Sequence, residues 1–183
     1  MLKYLICDDM TLCTQADVER LMTVASPQRR EQALRYRHLS GRWACLKSYE
    51  MLLGLLHTGT PVSFVYNEYG KPFLQQNDVF FSISHCKEAI AVVVSDRETG
   101  IDIESRRRCV SPELTERVMN EDEQRYIASH PEPATAFIEL WTKKEALLKM
   151  RGTGITDDLK NVLTGDEDIE THIFDNYIVS ICQ

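Results

Sequence analysis

The chain has 183 residues, a formal net charge of −7 and a hydrophobic fraction of 43%. This length supports one good hydrophobic core, in a single domain or in two small lobes packed together. The acidic balance argues against a general nucleic-acid binder, and no segment approaches the ~18 uncharged apolar residues of a membrane span. The N-terminal segment MLKYLICDDM turns acidic too early for a signal peptide, and the six scattered cysteines form no CxxC pair. A cytoplasmic protein is expected.

The hydrophobic periodicity predicts a mixture of helices and short strands. Strands are predicted at residues 2–7, 64–66, 79–84, 89–95, 101–104, 170–174 and 177–181. Helices are predicted at residues 26–56, with a break near Ser40-Gly41, and at 112–119, 121–129 and 134–150. Each half of the chain runs from helices to strands, which favours an α+β fold of two similar lobes, residues 1–98 and 99–183.

The strand at 100–104, with the sequence GIDIE, carries two carboxylates. Because alternate side chains of a strand share a face, Asp102 and Glu104 point to one side and Ile101 and Ile103 to the other. Two carboxylates ~7 Å apart repel each other unless a cation or water screens them. Such hard oxygen ligands suit magnesium. The same pattern also fits an ordinary strand with a hydrated acidic face.

The helix at 134–150 places a lysine on its apolar face. Leu140, Trp141, Leu147 and Leu148 form one apolar arc, and Lys144 falls in its middle. A desolvated lysine is costly unless it meets an anion. We therefore expect this face of the helix to border an anion in a dry cleft.

Two further features suit a phosphate ligand. The strand FSISH ends in Ser84 and His85, two hydrogen-bond donors, and the preceding turn fixes Lys71 between Gly70 and Pro72. The segment 29–47 carries six basic residues against the single acid Glu31. Its charge of +5 leaves −12 for the rest of the chain, which suits a small polyanion better than a nucleic-acid duplex. On charge alone, a solvated helix face explains the basic segment better than a ligand site does.

Four motifs occur together in one order: YGKP at 69–72, FSISH at 81–85, GIDIE at 100–104 and WxxKEAxxK at 141–149. In this order they are similar to the surfactin-synthetase-type 4′-phosphopantetheinyl transferases, over roughly residues 28–155. The resemblance implies a monomeric, pseudo-dimeric chain in which each lobe packs a small antiparallel sheet on a long helix. A pseudo-twofold axis would relate the lobes, and the active site would lie between them.

The resemblance also implies a reaction, in which the 4′-phosphopantetheine group of coenzyme A passes to a serine of an apo acyl or peptidyl carrier protein. Asp102, Glu104 and Glu145 match the family's Mg²⁺ ligands on the coenzyme A pyrophosphate. Lys144 and Lys149 match lysines that face the phosphates. Glu145 would take the proton of the serine hydroxyl, directly or through a water, and adenosine 3′,5′-bisphosphate would leave.

Further coenzyme A contacts follow from the same resemblance. Ser84 and His85 match residues at the 3′-phosphate, and Lys71 matches another contact. The basic N-terminal segment matches only loosely, and within it Arg37 and Arg42 are the expected 3′-phosphate contacts. The tract Arg106–Arg108 fits either an acidic carrier protein or a solvated loop.

Other classes of function compete with this interpretation. A magnesium-dependent phosphohydrolase or nuclease also uses D-x-E with a distant Glu, although it would usually need more carboxylates for two metals. A phosphate-loop kinase is disfavoured because GxxxxGK[ST] is absent. A non-catalytic coenzyme A or carrier-binding module would keep the lysines and His85 but would not need Glu145 or Asp102.

Overall fold

The computed structural model describes residues 1–75, 79–154 and 158–183. The strands are β1 (Lys3–Cys7), β2 (Phe64–Tyr66), β3 (Pro72–Leu74), β4 (Phe80–His85), β5 (Ile90–Ser95), β6 (Gly100–Ser105), β7 (Ile169–Ile173) and β8 (Tyr177–Cys182). The helices are α1 (Gln15–Val24), α2 (Pro27–Leu34), α3 (Leu39–Leu55), α4 (Pro112–Val118), α5 (Glu121–Ser129) and α6 (Pro133–Arg151). The predicted α+β class is confirmed.

All strand pairs in the described part of the chain are antiparallel. The first sheet has the order β1-β5-β4 and the second has the order β6-β8-β7, while β2 and β3 form a separate hairpin. Ser84 of β4 pairs with Ala91 of β5, and Asp102 of β6 pairs with Ser180 of β8. The two sheets therefore come from successive parts of the chain.

The alternation of side chains along β5 explains how the layers stack. Val92 and Val94 belong to a core with α1 and α3, whereas Ala91 and Val93 belong to a core with the second sheet. The opposite face of the second sheet is covered by α6, where Ile178 packs with other buried side chains. The order of layers is thus helices, first sheet, second sheet, helices.

The first helical region differs from the prediction in two ways. Helix α1 was not predicted, although Thr14 caps it by accepting a hydrogen bond from the Asp17 N–H. The break between α2 and α3 lies before α3 begins at Leu39, not near Ser40-Gly41. Gly41 is needed for close packing, since a Cβ there would lie 2.8 Å from the Tyr36 ring. Within the described residues, no helix combines the length and the apolar character that a bilayer crossing needs.

Candidate active site

The carboxylates of β6 face helix α6, as the alternation predicts. Ile101 and Ile103 are fully buried between the two sheets. Asp102 and Glu104 point to the opposite side, where Asp102 is only 4% exposed. A buried carboxylate is costly unless hydrogen bonds or a cation compensate for its lost hydration, so this side chain needs partners.

A glycine allows α6 to lie directly against β6. A Cβ at Gly100 would lie 2.5 Å from the Met150 amide nitrogen and would also overlap the Ala146 carbonyl oxygen. Any larger residue would therefore push the helix away from the strand. This close approach holds Glu145 and Lys149 of α6 over the carboxylates of β6.

Asp102 is the centre of a three-residue hydrogen-bond cluster. Its Oδ1 accepts from Lys149 Nζ at 2.6 Å and from Ser84 Oγ at 2.8 Å. Lys149 Nζ also donates to Ser84 Oγ, at 2.7 Å. The Ser84 hydroxyl donates to Asp102 and accepts from Lys149, so Ser84 positions this pair. Its contact with the 3′-phosphate stays a prediction.

Two carboxylate oxygens next to this cluster are buried without a hydrogen-bond partner. They are Asp102 Oδ2 and Glu145 Oε1, and among the described residues only Glu88 has a buried side-chain oxygen in the same condition. Leaving such a group unsatisfied costs about 1–3 kcal/mol. Unpartnered polar atoms in a folded protein often mark a place where a ligand or ion binds.

The electrostatics of the site favour an added cation. Burial, followed by the charge of Asp102, raises the pKa of the Glu145 carboxyl, and the same two causes raise the pKa of Glu104. The positive charges of Lys149 and Arg108 oppose the shift at Glu145, and Arg108 opposes the shift at Glu104, but neither shift is cancelled. A divalent cation would stabilise the charged forms of all three carboxylates.

The three carboxylates are not assembled into a metal site. Over residues 1–75, 79–154 and 158–183, no group of three His, Cys, Asp or Glu side chains is arranged to hold a metal ion. Glu104 Oε1 instead accepts from Arg108 Nη1 at 2.5 Å and from Trp141 Nε1 at 3.0 Å. The unpartnered oxygens of Asp102 and Glu145 still fit magnesium, which prefers carboxylate oxygens and takes few protein ligands.

A cavity of about 290 Å³ opens beside the cluster. Glu145 and Lys149 line it from α6, and Lys71 lines it from the turn before β3. Lys71 Nζ donates to the Met150 carbonyl at 2.5 Å and lies 5.4 Å from the centre of the Phe73 ring. Burial lowers the pKa of Lys71. This lysine therefore caps the last turn of α6 and also presents its side chain to the cavity.

His85 lies at the exposed end of β4, next to the cluster. Partial desolvation lowers the pKa of its imidazole, and the positive charges of Lys149 and Arg29 lower it further. Burial is the larger cause of this lowered pKa, and an anionic ligand would offset the smaller contribution of the two positive charges.

The structure corrects the prediction that Lys144 faces a phosphate. Its side chain is fully buried, and Nζ donates to Glu123 Oε2 at 2.7 Å, to the Leu159 carbonyl at 2.7 Å and to the Val118 carbonyl at 2.9 Å. These bonds occupy all three ammonium protons. The lysine on the apolar face does meet an anion, as expected, but the anion is a carboxylate of the protein.

The two arginines expected at the 3′-phosphate do not line the cavity in the described part of the chain. Arg37 is exposed, and Arg42 Nε donates to the Tyr36 carbonyl at 2.8 Å. Sequence reasoning also missed the partners of Glu104, since nothing in the sequence links Arg108 or Trp141 to one oxygen of that side chain.

Comparison with known proteins shows what this chain is similar to. Residues 98–178 match the model of the 4′-phosphopantetheinyl transferase superfamily. The chain is 34% identical to the 4′-phosphopantetheinyl transferase gsp of Aneurinibacillus migulanus, over 66% of this chain and 50% of the relative. It is 32% identical to a 4′-phosphopantetheinyl transferase of Bacillus subtilis, over 75% of this chain and 65% of the relative.

A third relative is the 4′-phosphopantetheinyl transferase AcpT of Escherichia coli strain K12. It is 38% identical over 54% of this chain and 53% of the relative. This chain thus spans between about half and two thirds of the length of these relatives. The resemblance inferred from the four motifs is confirmed at the level of the superfamily.

Proposed function

We propose that this chain transfers the 4′-phosphopantetheine group of coenzyme A to a serine of an apo acyl or peptidyl carrier protein. The observation that carries the proposal is the pair of unpartnered buried oxygens, Asp102 Oδ2 and Glu145 Oε1. Asp102 is bonded to Lys149, and Glu145 and Lys149 line the cavity. These side chains lie in the segment that matches the transferase superfamily.

Lys149 would stabilise the charge that builds on the pyrophosphate of coenzyme A. Its side chain is 30% exposed, and its ammonium group is fixed by Asp102 and Ser84. A donor held in place before the reaction stabilises developing negative charge without reorganising. Lys149 is therefore the catalytic cation of the proposed site.

Glu145 would act as the general base. Its Oε1 is buried without a hydrogen-bond partner, and the side chain lines the cavity, where a carboxylate oxygen can accept a proton. It would accept the proton of the carrier serine hydroxyl, whose oxygen then bonds to the β-phosphorus. The bond from that phosphorus to the bridging oxygen breaks, and adenosine 3′,5′-bisphosphate leaves with the bridging oxygen.

Magnesium is the metal that this donor set fits. Asp102, Glu104 and Glu145 would hold it, the first and third through oxygens that lack partners in the described structure. When bound, it would polarise the pyrophosphate oxygens as a Lewis acid. Lys71 and His85 would bind the remaining phosphate charge of coenzyme A.

We further propose that residues 1–98 and 99–183 form two similar lobes with the active site between them. Each part contributes a three-stranded antiparallel sheet and one long helix, α3 or α6, which supports this division. Ser84 and Lys71 come from the first part, and Asp102, Glu145 and Lys149 come from the second. A reducing, cytoplasmic setting is part of the proposal, because the six cysteines are all free.

A transfer assay tests the function directly. The protein is mixed with coenzyme A, MgCl₂ and a panel of apo fatty-acid, polyketide and peptide-synthetase carrier proteins, and the carriers are weighed by mass spectrometry. A gain of one phosphopantetheine on the carrier serine supports the proposal. Release of nucleotide or phosphate without a carrier would indicate a hydrolase, and coenzyme A binding without any modified carrier would indicate a binding module.

A further inference from the structure

Arg108 forms an ion pair with Glu104, which is one of the proposed metal ligands. Its Nη1 lies 2.5 Å from Glu104 Oε1, and its guanidinium carbon lies 5.0 Å from the centre of the Trp141 ring. The Trp141 N–H donates to the same Glu104 oxygen, at 3.0 Å. Glu104 is thus held by a guanidinium and an indole at the edge of the site.

The turn after β6 directs Arg108 back onto the strand. The Arg108 N–H donates to the Ser105 carbonyl, and the Arg107 N–H donates to Ser105 Oγ. This turn separates neighbouring arginines: Arg107 Nη2 donates to Asn176 Oδ1, and Arg106 pairs with Glu132. Only Arg108 of the three reaches a carboxylate of the site.

From this geometry we infer that Arg108 is a positioning residue that competes with the divalent cation for Glu104. The inference rests on the proposed function, because it takes Glu104 to be a metal ligand. A guanidinium and a metal ion compete for the negative charge of the same carboxylate, so Arg108 loosens its hold on Glu104 Oε1 when the cation binds. The arginine holds Glu104 in place and neutralises it until then.

The exposure of the two ion pairs supports this assignment. In the Arg108–Glu104 pair the side chains are 32% and 22% exposed, so water weakens the attraction. In the Lys149–Asp102 pair Asp102 is only 6% exposed, and Ser84 bonds to both partners. The Arg108 pair is therefore the one that yields to a competing cation.

Metal affinity without coenzyme A tests the inference. Mn²⁺ is titrated into the wild type, Arg108→Ala and Arg107→Ala, and the free ion is measured by electron paramagnetic resonance. Arg108→Ala should bind Mn²⁺ about fivefold more tightly than the wild type, the effect of losing a partly exposed ion pair. Arg107→Ala removes the same charge one residue away without touching Glu104, and should change the affinity by less than about twofold.

Trp141 fluorescence provides a second measurement, which does not depend on the catalytic activity of the protein. Mg²⁺ should change the Trp141 fluorescence of the wild type, because Arg108 moves away from the indole ring when the cation binds. Without Mg²⁺, Arg108→Ala should already show the emission that the wild type reaches with Mg²⁺. A Trp141→Phe variant identifies the signal, since Trp43 is fully buried elsewhere, in the core with α1 and α3. Equal Mn²⁺ affinity in the two arginine variants, or emission that Mg²⁺ leaves unchanged, would overturn the role of Arg108.

The outcomes separate this inference from the proposed function. Carrier modification by a protein whose two arginine variants bind Mn²⁺ equally would overturn the inference alone. The expected Mn²⁺ affinities in a protein that modifies no carrier would overturn the proposed function alone. If no variant binds Mn²⁺, with or without coenzyme A, the inference is overturned and the mass-spectrometric assay still decides the function.

Discussion

Two glutamates of α6 have different surroundings although they lie two turns apart. Glu139 forms an ion pair with Lys143 at 2.6 Å, whereas Glu145 has a buried oxygen without a partner. A carboxylate that is partnered on the surface contributes little to catalysis, while one that is dry and unpartnered beside a cavity is suited to accept a proton. This contrast provides a matched pair of variants.

We expect Glu145→Gln to lose at least about a hundredfold in carrier modification, the lower end of a general-base contribution. Coenzyme A binding should stay within about tenfold, because an interaction made in the transition state affects the chemical step more than binding. Single-turnover transfer and calorimetry measure the two quantities. Glu139→Gln is the control and should leave both unchanged. Transfer by Glu145→Gln near the wild-type rate would place the base elsewhere.

His85 leads to a prediction about the 3′-phosphate. His85→Ala should weaken coenzyme A binding by about 1–3 kcal/mol, the loss of a hydrogen bond to a charged group. The loss should shrink with 3′-dephospho-coenzyme A as the ligand. Because burial lowers the pKa of the imidazole from its ordinary value, its neutral form dominates near neutral pH, and the wild-type advantage over His85→Ala should grow as the pH falls. Calorimetry with both ligands measures this, and equal losses would contradict the assignment.

At the residue scale, the sequence predicted individual positions better than it predicted partners. The period of a strand was enough to place Asp102 and Glu104 on one face. The hydrogen bonds of Ser84 and the burial of Lys144 depend on which elements pack together, and local periodicity contains no information about that. An anion was correctly expected beside Lys144, but the sequence did not indicate whether the protein or a ligand supplies it.

The Lys144 ammonium group lies at the junction between α4 and α5. Asn120 and Glu123 form a capping box at the start of α5, and the same Glu123 oxygen accepts from Lys144. Lys144 also binds the Val118 carbonyl at the end of α4. One side chain of α6 thus fixes the ends of two neighbouring helices.

Breaking this contact should destabilise the protein strongly. Lys144→Met leaves a buried carboxylate and two carbonyls without their donor, and should lower the free energy of unfolding by about 3–5 kcal/mol. The adjacent Lys143→Met removes only a partly exposed pair and should cost less than about 1 kcal/mol. Urea unfolding measures both variants. The double variant Lys144→Met/Glu123→Gln should recover part of the loss, and similar stability of the two single lysine variants would refute the structural role.

Elements with a strong local signal were predicted closely, and those without it were missed. The prediction for α5 at 121–129 is confirmed to the residue, because a capping side chain precedes an amphipathic pattern. Strand β3 was not predicted, because Pro72–Leu74 is short, pairs only with the three residues of β2 and begins at the proline of the predicted turn. Helix α1 was missed because its apolar face is narrow, with only Val18 and Leu21 buried.

The whole molecule depends on a core that both proposed lobes share. The first sheet contributes Ala91 and Val93, and the second contributes four buried branched side chains. These four are Ile101, Ile103, Val179 and Ile181. Burying a branched side chain contributes about 1.5–3 kcal/mol, so the second sheet gains about 6–12 kcal/mol from its side of this contact. That range is comparable to the ~5–15 kcal/mol net stability of a typical domain.

We therefore expect that neither proposed lobe folds on its own. Fragments 1–98 and 99–183, expressed separately, should lack a cooperative thermal transition by circular dichroism, because the shared face of each sheet would be exposed to water. Mixed at equal concentration, they should regain one transition, since the cut falls in the short connection between β5 and β6. The uncut chain is the reference and should melt in a single step.

A cooperative transition of fragment 99–183 alone, near the melting temperature of the whole chain, would mean that the second sheet is stabilised by α6 without the first sheet. The active site could then open by separation of two independently stable lobes, whereas a shared core requires Lys71, Ser84 and the carboxylates of β6 to be held together whenever the chain is folded.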